Sequence, residues 1–249
     1  MNHDLLILTT GTRHDLFVRM REKLERAIAR ADGPFRVTMI VDGEIIPEVP
    51  YAHRVVHHRT PQGIAFGINE WIEYLELTRI YYQGHSSRTS DYMAFEPCWC
   101  TVLQDDVEVE PWLFAFIEKH HKRLEGLSAW FSGYQPTEHT LLSSCTIEDT
   151  EIEHRAMGCA VHLTAHFDRW RELTPIPKLF GKPRICPGGD VYKPGAERGN
   201  PSRRPRLGSR VEHWLLGDCK KIVTQPGVAV IRGGAQHIGD RRSVWNETS

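Results

Sequence analysis

The sequence contains no run of apolar residues that could cross a membrane. The apolar stretch near its start, residues 5–8, is far shorter than the roughly 20 residues that a membrane helix requires. The opening residues also lack the basic segment and long apolar core of a secretion signal. We therefore expect a protein that resides in the cytoplasm and makes no membrane contact.

Strong net charge and abundant cysteine are missing as well. The 31 lysines and arginines almost balance the 32 aspartates and glutamates, which argues against nonspecific coating of nucleic acid and restricts any such contact to a local patch. Six cysteines are present. Cys98 and Cys100 have one residue between them, fewer than common zinc-binding pairs have, so we expect buried, reduced thiols.

The order of the apolar segments indicates an α/β protein. A buried strand is predicted at 5–10, an amphipathic helix at 13–31 and a second strand at 35–41, as at the start of nucleotide-binding α/β domains. Further patterns predict strands at 54–58, 101–103, 129–134, 157–163 and within 221–230, and helices at 64–77, 92–99, 111–124, 164–172 and 211–216. Residues 178–210 and the tail from residue 232 are predicted as loops, and one domain covers 1–249.

Two adjacent carboxylates follow the predicted strand at 101–103. Asp105 and Asp106 would lie at the carboxyl end of that strand, where open α/β sheets bind their ligands. A divalent cation held by one or two carboxylates suits a diphosphate substrate, since water and phosphate fill its other positions. The alternative is an acidic turn that only solvates the strand end.

A second candidate segment lies near the end of the chain, at residues 234–243. Its histidine, His237, is a possible metal ligand, its glycines allow close approach of phosphate, and its arginines would neutralise that charge. The alternative is a flexible basic tail.

Four stretches together resemble a GT-A fold glycosyltransferase of the small bacterial or bacteriophage type: residues 5–13, 41–43, 103–107 and 236–239. The resemblance implies a single Rossmann-like mixed sheet flanked by helices. It implies a nucleotide-binding part at about 1–110 and an acceptor-binding part at about 111–249. It also implies transfer of a sugar from a nucleotide-sugar donor, a UDP-sugar first, to an acceptor hydroxyl.

By position, the resemblance assigns contacts with the donor nucleoside to Thr9, Thr10, Arg13 and Asp42. The predicted helix that begins near residue 64 would face the donor with its first turn, because free backbone amides favour anions. Gln62 and Asn69 are therefore donor-binding candidates as well. The plain alternative for this segment is a helix start without a ligand.

The Asp-X-Asp motif of such enzymes corresponds to Gln104-Asp105-Asp106. Asp106 is the position that would bind Mn²⁺ or Mg²⁺, and His237 would complete the metal shell. Gln104 and Asp105 are assigned to the donor. Gln104 replaces the first acid of the motif, so one negative charge is missing. Either the metal is then held more weakly, or Gln104 hydrogen-bonds the ribose instead.

An inverting transferase needs a general base beside the acceptor hydroxyl. In the family this is an acid near the start of a late helix, which favours Glu212, with Asp190 as the competitor. A retaining enzyme needs no such base, and both residues are also compatible with ordinary surface acids.

A cluster of arginines gives the remaining candidate site. Arg203, Arg204 and Arg206 could hold the phosphates of a DNA acceptor, since phages encode transferases that glycosylate modified bases; a host cell's cytoplasm would then be the location. A solvated loop is the alternative. Two other functions compete. One is a nucleotidyltransferase that makes nucleotide sugars, although Gly11-Thr12-Arg13 is too sparse for the glycine-rich, basic phosphate loop that such an enzyme normally has. The other is a non-enzymatic nucleic-acid-binding module.

Overall fold

The computed structural model describes residues 2–43, 45–59, 62–85, 99–134, 141–155, 162–175, 184–185, 191–192 and 227–238. Its first half contains β1 His3–Thr9, α1 His14–Arg30, β2 Phe35–Asp42, β3 Arg54–His58, α2 Ile64–His85 and β4 Trp99–Gln104. These strands are all parallel, with β1 between β2 and β4. The predicted strand–helix–strand opening is confirmed.

The second half adds antiparallel strands and completes the sheet. It contains β5 Val107–Val109, α3 Leu113–Glu125, β6 Phe131–Tyr134, β7 Leu141–Ile147, β8 Thr150–Arg155, β9 His162–His166, α4 Phe167–Leu173, β10 Arg184–Ile185, β11 Val191–Tyr192 and β12 Val228–His237. In the described part of the chain the strand order is β3-β2-β1-β4-β9-β6-β12-β8-β7, and β5 pairs with β12. Strands β10 and β11 form a separate antiparallel pair.

Helices cover both faces of the sheet, and β1 shows why. Its successive side chains point to opposite faces of the sheet. Leu6 and Leu8 pack in a cluster with α2 and α4, and Leu5 and Ile7 pack in a cluster with α1 and α3. In α1, the buried residues Phe17, Met20, Leu24 and Ala27 recur every three or four positions and form one apolar stripe. The predicted class, a mixed α/β sheet flanked by helices, is confirmed. No helix in these described ranges is long and apolar enough to span a membrane.

Two sequence predictions differ from the structure, and one hairpin was not predicted. The tail from Arg232 was predicted as loop, but β12 continues to His237 because it pairs with β5. The helix predicted at 164–172 begins later, at Phe167, because Thr164 and Ala165 pair with β4. The hairpin of β7 and β8 was not predicted, since five of the seven side chains of β7 are exposed and give no alternating apolar pattern.

Other predicted elements are longer in the structure, or lie partly or wholly outside the described residues. Helix α2 runs beyond residue 77 to His85, and Trp99 begins β4. The rest of the helix predicted at 92–99 and the helix predicted at 211–216 lie outside the described residues. The loop predicted at 178–210 is described only at β10 and β11.

Candidate functional site

The two aspartates lie in the short turn between β4 and β5. Their side chains are buried, although both are acidic. The backbone amide of Asp105 donates to the carbonyl of Leu8 at 3.1 Å, and the amide of Ile238 donates to the carbonyl of Asp106 at 2.8 Å. The turn is therefore held from one side by the end of β1 and from the other by the residue that follows β12.

Asp105 is bound to the carboxyl end of β1. The hydroxyl of Thr9 donates to Oδ2 of Asp105 at 2.7 Å, and the amide of Thr10 donates to the same oxygen at 3.4 Å. Burial raises the pKa of Asp105 to about 6, against the lowering effects of the Arg13 cation and the Thr9 hydroxyl. Thr9, Thr10, Arg13 and Asp105, all assigned to the donor from sequence, therefore lie together.

Asp106 lies between two cationic or potentially cationic side chains. Nη1 of Arg13 contacts Oδ2 of Asp106, and Nε2 of His237 lies 3.0 Å from the same oxygen. Burial acts to raise the pKa of Asp106, but the hydrogen bond from His237 and the charge of Arg13 outweigh it, so the pKa lies below its usual value. The predicted pairing of Asp106 with His237, which are distant in sequence, is present.

The arrangement fits a divalent cation. Oδ1 of Asp106 is buried and has no hydrogen-bond partner among the described residues, which leaves an acceptor oxygen available. Nε2 of His237 and Oδ2 of Asp106 are a hydrogen-bond distance of 3.0 Å apart, which is also close enough for the two side chains to bind one octahedral Mg²⁺ or Mn²⁺. Within the described ranges no group of three or more His, Cys, Asp or Glu side chains could hold a metal, so phosphate and water would supply the other ligands.

The loops that follow β1 and β2 touch through their backbones. Gly11 has φ of +71°, and a Cβ at this position would lie 2.0 Å from the carbonyl oxygen of Ile45. A Cβ at Gly43 would lie 2.0 Å from the carbonyl oxygen of Thr10. Only glycine permits this close approach, which packs together the two loops that leave the parallel strands β1 and β2 at one edge of the sheet.

The end of β2 holds the start of α2. Asp42 accepts hydrogen bonds from the amides of Gln62 and Gly63, at 2.9 and 2.6 Å, and Nδ1 of His58 lies 2.9 Å from its Oδ1. The two donor candidates Asp42 and Gln62 are therefore in contact. The contact is made by the backbone amide of Gln62 and not by its side chain. Asn69 lies half-buried on the second turn of α2.

Sequence reasoning missed two residues beside Asp42. Nε2 of His58 lies 2.9 Å from Oε2 of Glu70, and both residues line a surface pocket of about 470 Å³ together with Arg59, Gln62 and Phe66. His58 ends β3 at the same sheet edge as the ends of β1 and β2, and this position in a predicted strand was the available signal. Gln104 ends β4 and is buried.

The remaining candidates cannot be related to this geometry. Glu212, Asp190, Arg203, Arg204 and Arg206 lie outside the described residues. The site that the structure describes therefore comprises the ends of β1, β2, β4 and β12.

Comparisons with known proteins give distant structural similarity. No protein-family model matches the sequence, and no curated protein matches it. Among solved structures, S. aureus TarS is similar over 70% of this chain, with a TM-score of 0.38 and 9% identity. Its fragment 1-349 is similar over 69% of this chain, with a TM-score of 0.37 and 11% identity. The match spans 30% of the length of the first structure and 49% of the second.

A third similar structure is a glycosyltransferase involved in the glycosylation of the major capsid of PBCV-1. It is similar over 71% of this chain and 69% of its own, with a TM-score of 0.33 and 10% identity. At this distance the geometry of the site, rather than the overlap of chains, carries the functional argument.

Proposed function

We propose that the chain is a metal-dependent glycosyltransferase that uses a nucleotide-sugar donor, with a UDP-sugar as the first candidate. The observation that supports this most is the buried pair Asp105 and Asp106 at the carboxyl end of β4, with His237 3.0 Å from Asp106 and one oxygen of each aspartate without a hydrogen-bond partner among the described residues. The resemblance of the sequence to GT-A enzymes points to the same chemistry.

Each part of the site has a role in the proposed reaction. The donor would lie against Thr9, Thr10 and Gln104, and Asp106 with His237 would hold Mn²⁺ or Mg²⁺, which would neutralise charge on the leaving diphosphate. The acceptor oxygen forms a bond to the anomeric carbon while the bond from that carbon to the diphosphate oxygen breaks. In an inverting enzyme, Glu212 or Asp190 takes the proton of the acceptor hydroxyl.

Ligand-dependent stability tests this proposal. We expect UDP with Mn²⁺ to raise the Tm by several degrees, and UDP alone to raise it less, because a ligand that binds only the folded state stabilises it. Asp106→Asn should remove the metal-dependent part of the shift. Glu110→Gln is the matched control, since Glu110 follows β5 and pairs with Lys23 instead. Absence of any shift with all nucleoside diphosphates and Mn²⁺ would contradict the proposal.

The sugar and its transfer are tested by donor hydrolysis. Many transferases slowly hydrolyse their donor, so incubation with a series of nucleotide sugars and Mn²⁺ should release a nucleoside diphosphate from one of them. A nucleotidyltransferase would instead consume a sugar phosphate and a nucleoside triphosphate and release pyrophosphate. Product analysis by chromatography separates the two activities.

For the acceptor, we propose a modified base in DNA, held through Arg203, Arg204 and Arg206. Replacing all three with Ala should weaken duplex binding and flatten its salt dependence, because each lost phosphate contact removes about one released counterion from the slope. Hydrolysis of the donor without acceptor should not change. Absence of DNA affinity in the wild type at low salt would favour a saccharide, peptide or lipid-linked acceptor. DNA affinity without any nucleotide effect would favour a non-enzymatic binding module.

A further inference from the structure

Arg13 is the last residue before α1, and its guanidinium lies between the two aspartates. Nη1 contacts Oδ2 of Asp106, and Nη2 lies 3.4 Å from Oδ1 of Asp105. The side chain is 11% exposed, and the two carboxylates it faces are buried completely. The guanidinium therefore supplies positive charge at the place where a divalent cation would lie.

This ion pair differs from another buried Arg–Asp pair in the same chain. Arg36 donates two hydrogen bonds to Asp4, from Nε to Oδ1 at 2.6 Å and from Nη2 to Oδ2 at 3.1 Å. That two-bond fork is the strong arrangement for an arginine and a carboxylate. Arg13 instead divides its guanidinium between two carboxylates and makes one short contact.

The pairing of Arg13 leaves buried polar atoms unmatched on both sides. Nε and Nη2 of Arg13, Oδ1 of Asp105 and Oδ1 of Asp106 have no hydrogen-bond partner among the described residues. Buried polar atoms in folded proteins are usually paired, and exceptions often mark functional positions. Arg36 and Asp4, in contrast, leave no buried side-chain atom without a partner among the described residues.

We propose that Arg13 is the internal counterion of the two aspartates and must release Asp106 before a divalent cation binds there. This rests on the proposed function, because it takes Asp106 as a metal ligand. A divalent cation on Asp106, whether through Oδ2 or through Oδ1, would lie within a few ångströms of the guanidinium, and two positive charges that close repel each other strongly in a buried site. The main chain of Arg13 is held by the first hydrogen bond of α1, from the amide of Phe17 at 2.9 Å, so the side chain has to rotate.

The released guanidinium needs another anion. A nucleoside diphosphate supplies one, since the phosphate oxygens accept the same forked hydrogen bonds as a carboxylate. Arg13 would then leave the aspartates readily only when metal and diphosphate arrive together. Metal alone should bind weakly to the wild type, and the two ligands should bind with positive coupling.

The test is calorimetric titration of Mn²⁺ without nucleotide. Arg13→Gln should bind Mn²⁺ at least tenfold more tightly than the wild type, because the competing charge is gone. Arg19→Gln is the matched control: Arg19 is also on the first turns of α1 and pairs with Glu108, at 2.9 Å, outside the site. Its Mn²⁺ affinity should stay within twofold of the wild type. UDP should raise the Mn²⁺ affinity of the wild type at least tenfold, and that of Arg13→Gln by much less.

A second variant tests the proposal if Arg13→Gln does not fold. Arg13→Lys keeps one positive charge but cannot bridge both carboxylates, so its Mn²⁺ affinity should lie between those of the wild type and Arg13→Gln, at least threefold above the wild type. The counterion proposal is overturned if neither folded variant gains Mn²⁺ affinity. It is also overturned if wild-type UDP binding needs no metal and disappears in Arg13→Gln, because the guanidinium would then replace the metal permanently. A gain in Mn²⁺ affinity without binding of any nucleoside diphosphate would instead contradict only the glycosyltransferase function.

Discussion

The ends of β2 and β4 both present buried acids at the same edge of the sheet, but the two acids are satisfied differently. Asp42, at the end of β2, accepts hydrogen bonds from two backbone amides of the segment that starts α2 and contacts His58. Asp106, after β4, has one oxygen shared by Arg13 and His237 and one oxygen without a hydrogen-bond partner in the described ranges. The same residue type near the ends of two parallel strands therefore has both oxygens bound within the fold in one place, and keeps one oxygen without a hydrogen-bond partner among the described residues in the other.

The comparison predicts that Asp106 matters for turnover and little for stability. Asp106→Asn keeps the shape of the side chain but removes the negative charge, and we expect transfer to fall at least 100-fold, or about 2.7 kcal/mol in the transition state. Steady-state kinetics with saturating Mn²⁺, together with urea unfolding, measures both effects. Near-normal turnover by the folded variant would remove Asp106 from the metal site.

Asp42 should behave in the opposite way. Asp42→Ala leaves the amides of Gln62 and Gly63 without their acceptor, and we expect the free energy of unfolding to fall by about 2 kcal/mol. Asp42→Asn, which retains one acceptor oxygen, should lose less. If urea unfolding shows no change while UDP binding is lost, the comparison between the two strand ends is wrong and Asp42 serves the nucleoside alone.

Replacing His237 tests the comparison further, because the loss of UDP binding should depend on whether metal is present. His237→Ala should weaken UDP binding about tenfold in Mn²⁺, equal to about 1.4 kcal/mol, and should leave metal-free UDP binding almost unchanged. Calorimetry with Mn²⁺ and with a chelator gives both values. Equal losses under the two conditions would make His237 a structural partner of Asp106.

Asp4 extends the comparison to a satisfied acid near the start of β1, at the opposite edge of the sheet. Burial raises its pKa from the ordinary value of 3.8 to about 6, against the lowering by Arg36. Between these values the folded state binds more protons than the unfolded state, so Asp4 lowers stability as the pH rises through this window. From pH 5 to 6.5 its contribution should fall by about 1 kcal/mol.

The matched variant for this pH effect is Asp4→Asn, which cannot titrate. Urea unfolding of both proteins at several pH values isolates the contribution of Asp4, since the other titrating groups are common to both. The unfolding free energy of the wild type minus that of Asp4→Asn should decrease as the pH rises. A constant difference would mean that the pKa of Asp4 is not raised.

Sequence patterns were sufficient to predict the first half of the sheet and the position of the two aspartates at the end of a strand. The apolar run of β1 and the helical spacing of α1 are local properties, and Asp105 and Asp106 directly follow an apolar strand. The nearness of His237 to Asp106 came only from the resemblance, because it depends on pairing between β12 and β5. The length of β12 was underestimated for the same reason.

The contacts of Arg13 and Asp42 were beyond the reach of pattern reasoning. Both were assigned to the donor by position, yet the direction of each side chain is set by neighbours distant in sequence: Asp106 for Arg13, and the amide of Gly63 for Asp42. Periodicity gives the face of an element that is buried, but it does not give the partner that a charged side chain finds at the end of that element.

The position of β12 constrains how the protein is made. This last described strand lies inside the sheet, between β6 and β8, and not at an edge. A chain emerging from the ribosome therefore cannot close the sheet until residues 228–237 are available, and β8 has no other neighbour on that side until then. Pairing of such distant segments is slow because the intervening chain must be ordered first. The sheet should thus close only after synthesis passes β12, and His237 should reach Asp106 in the same closing step.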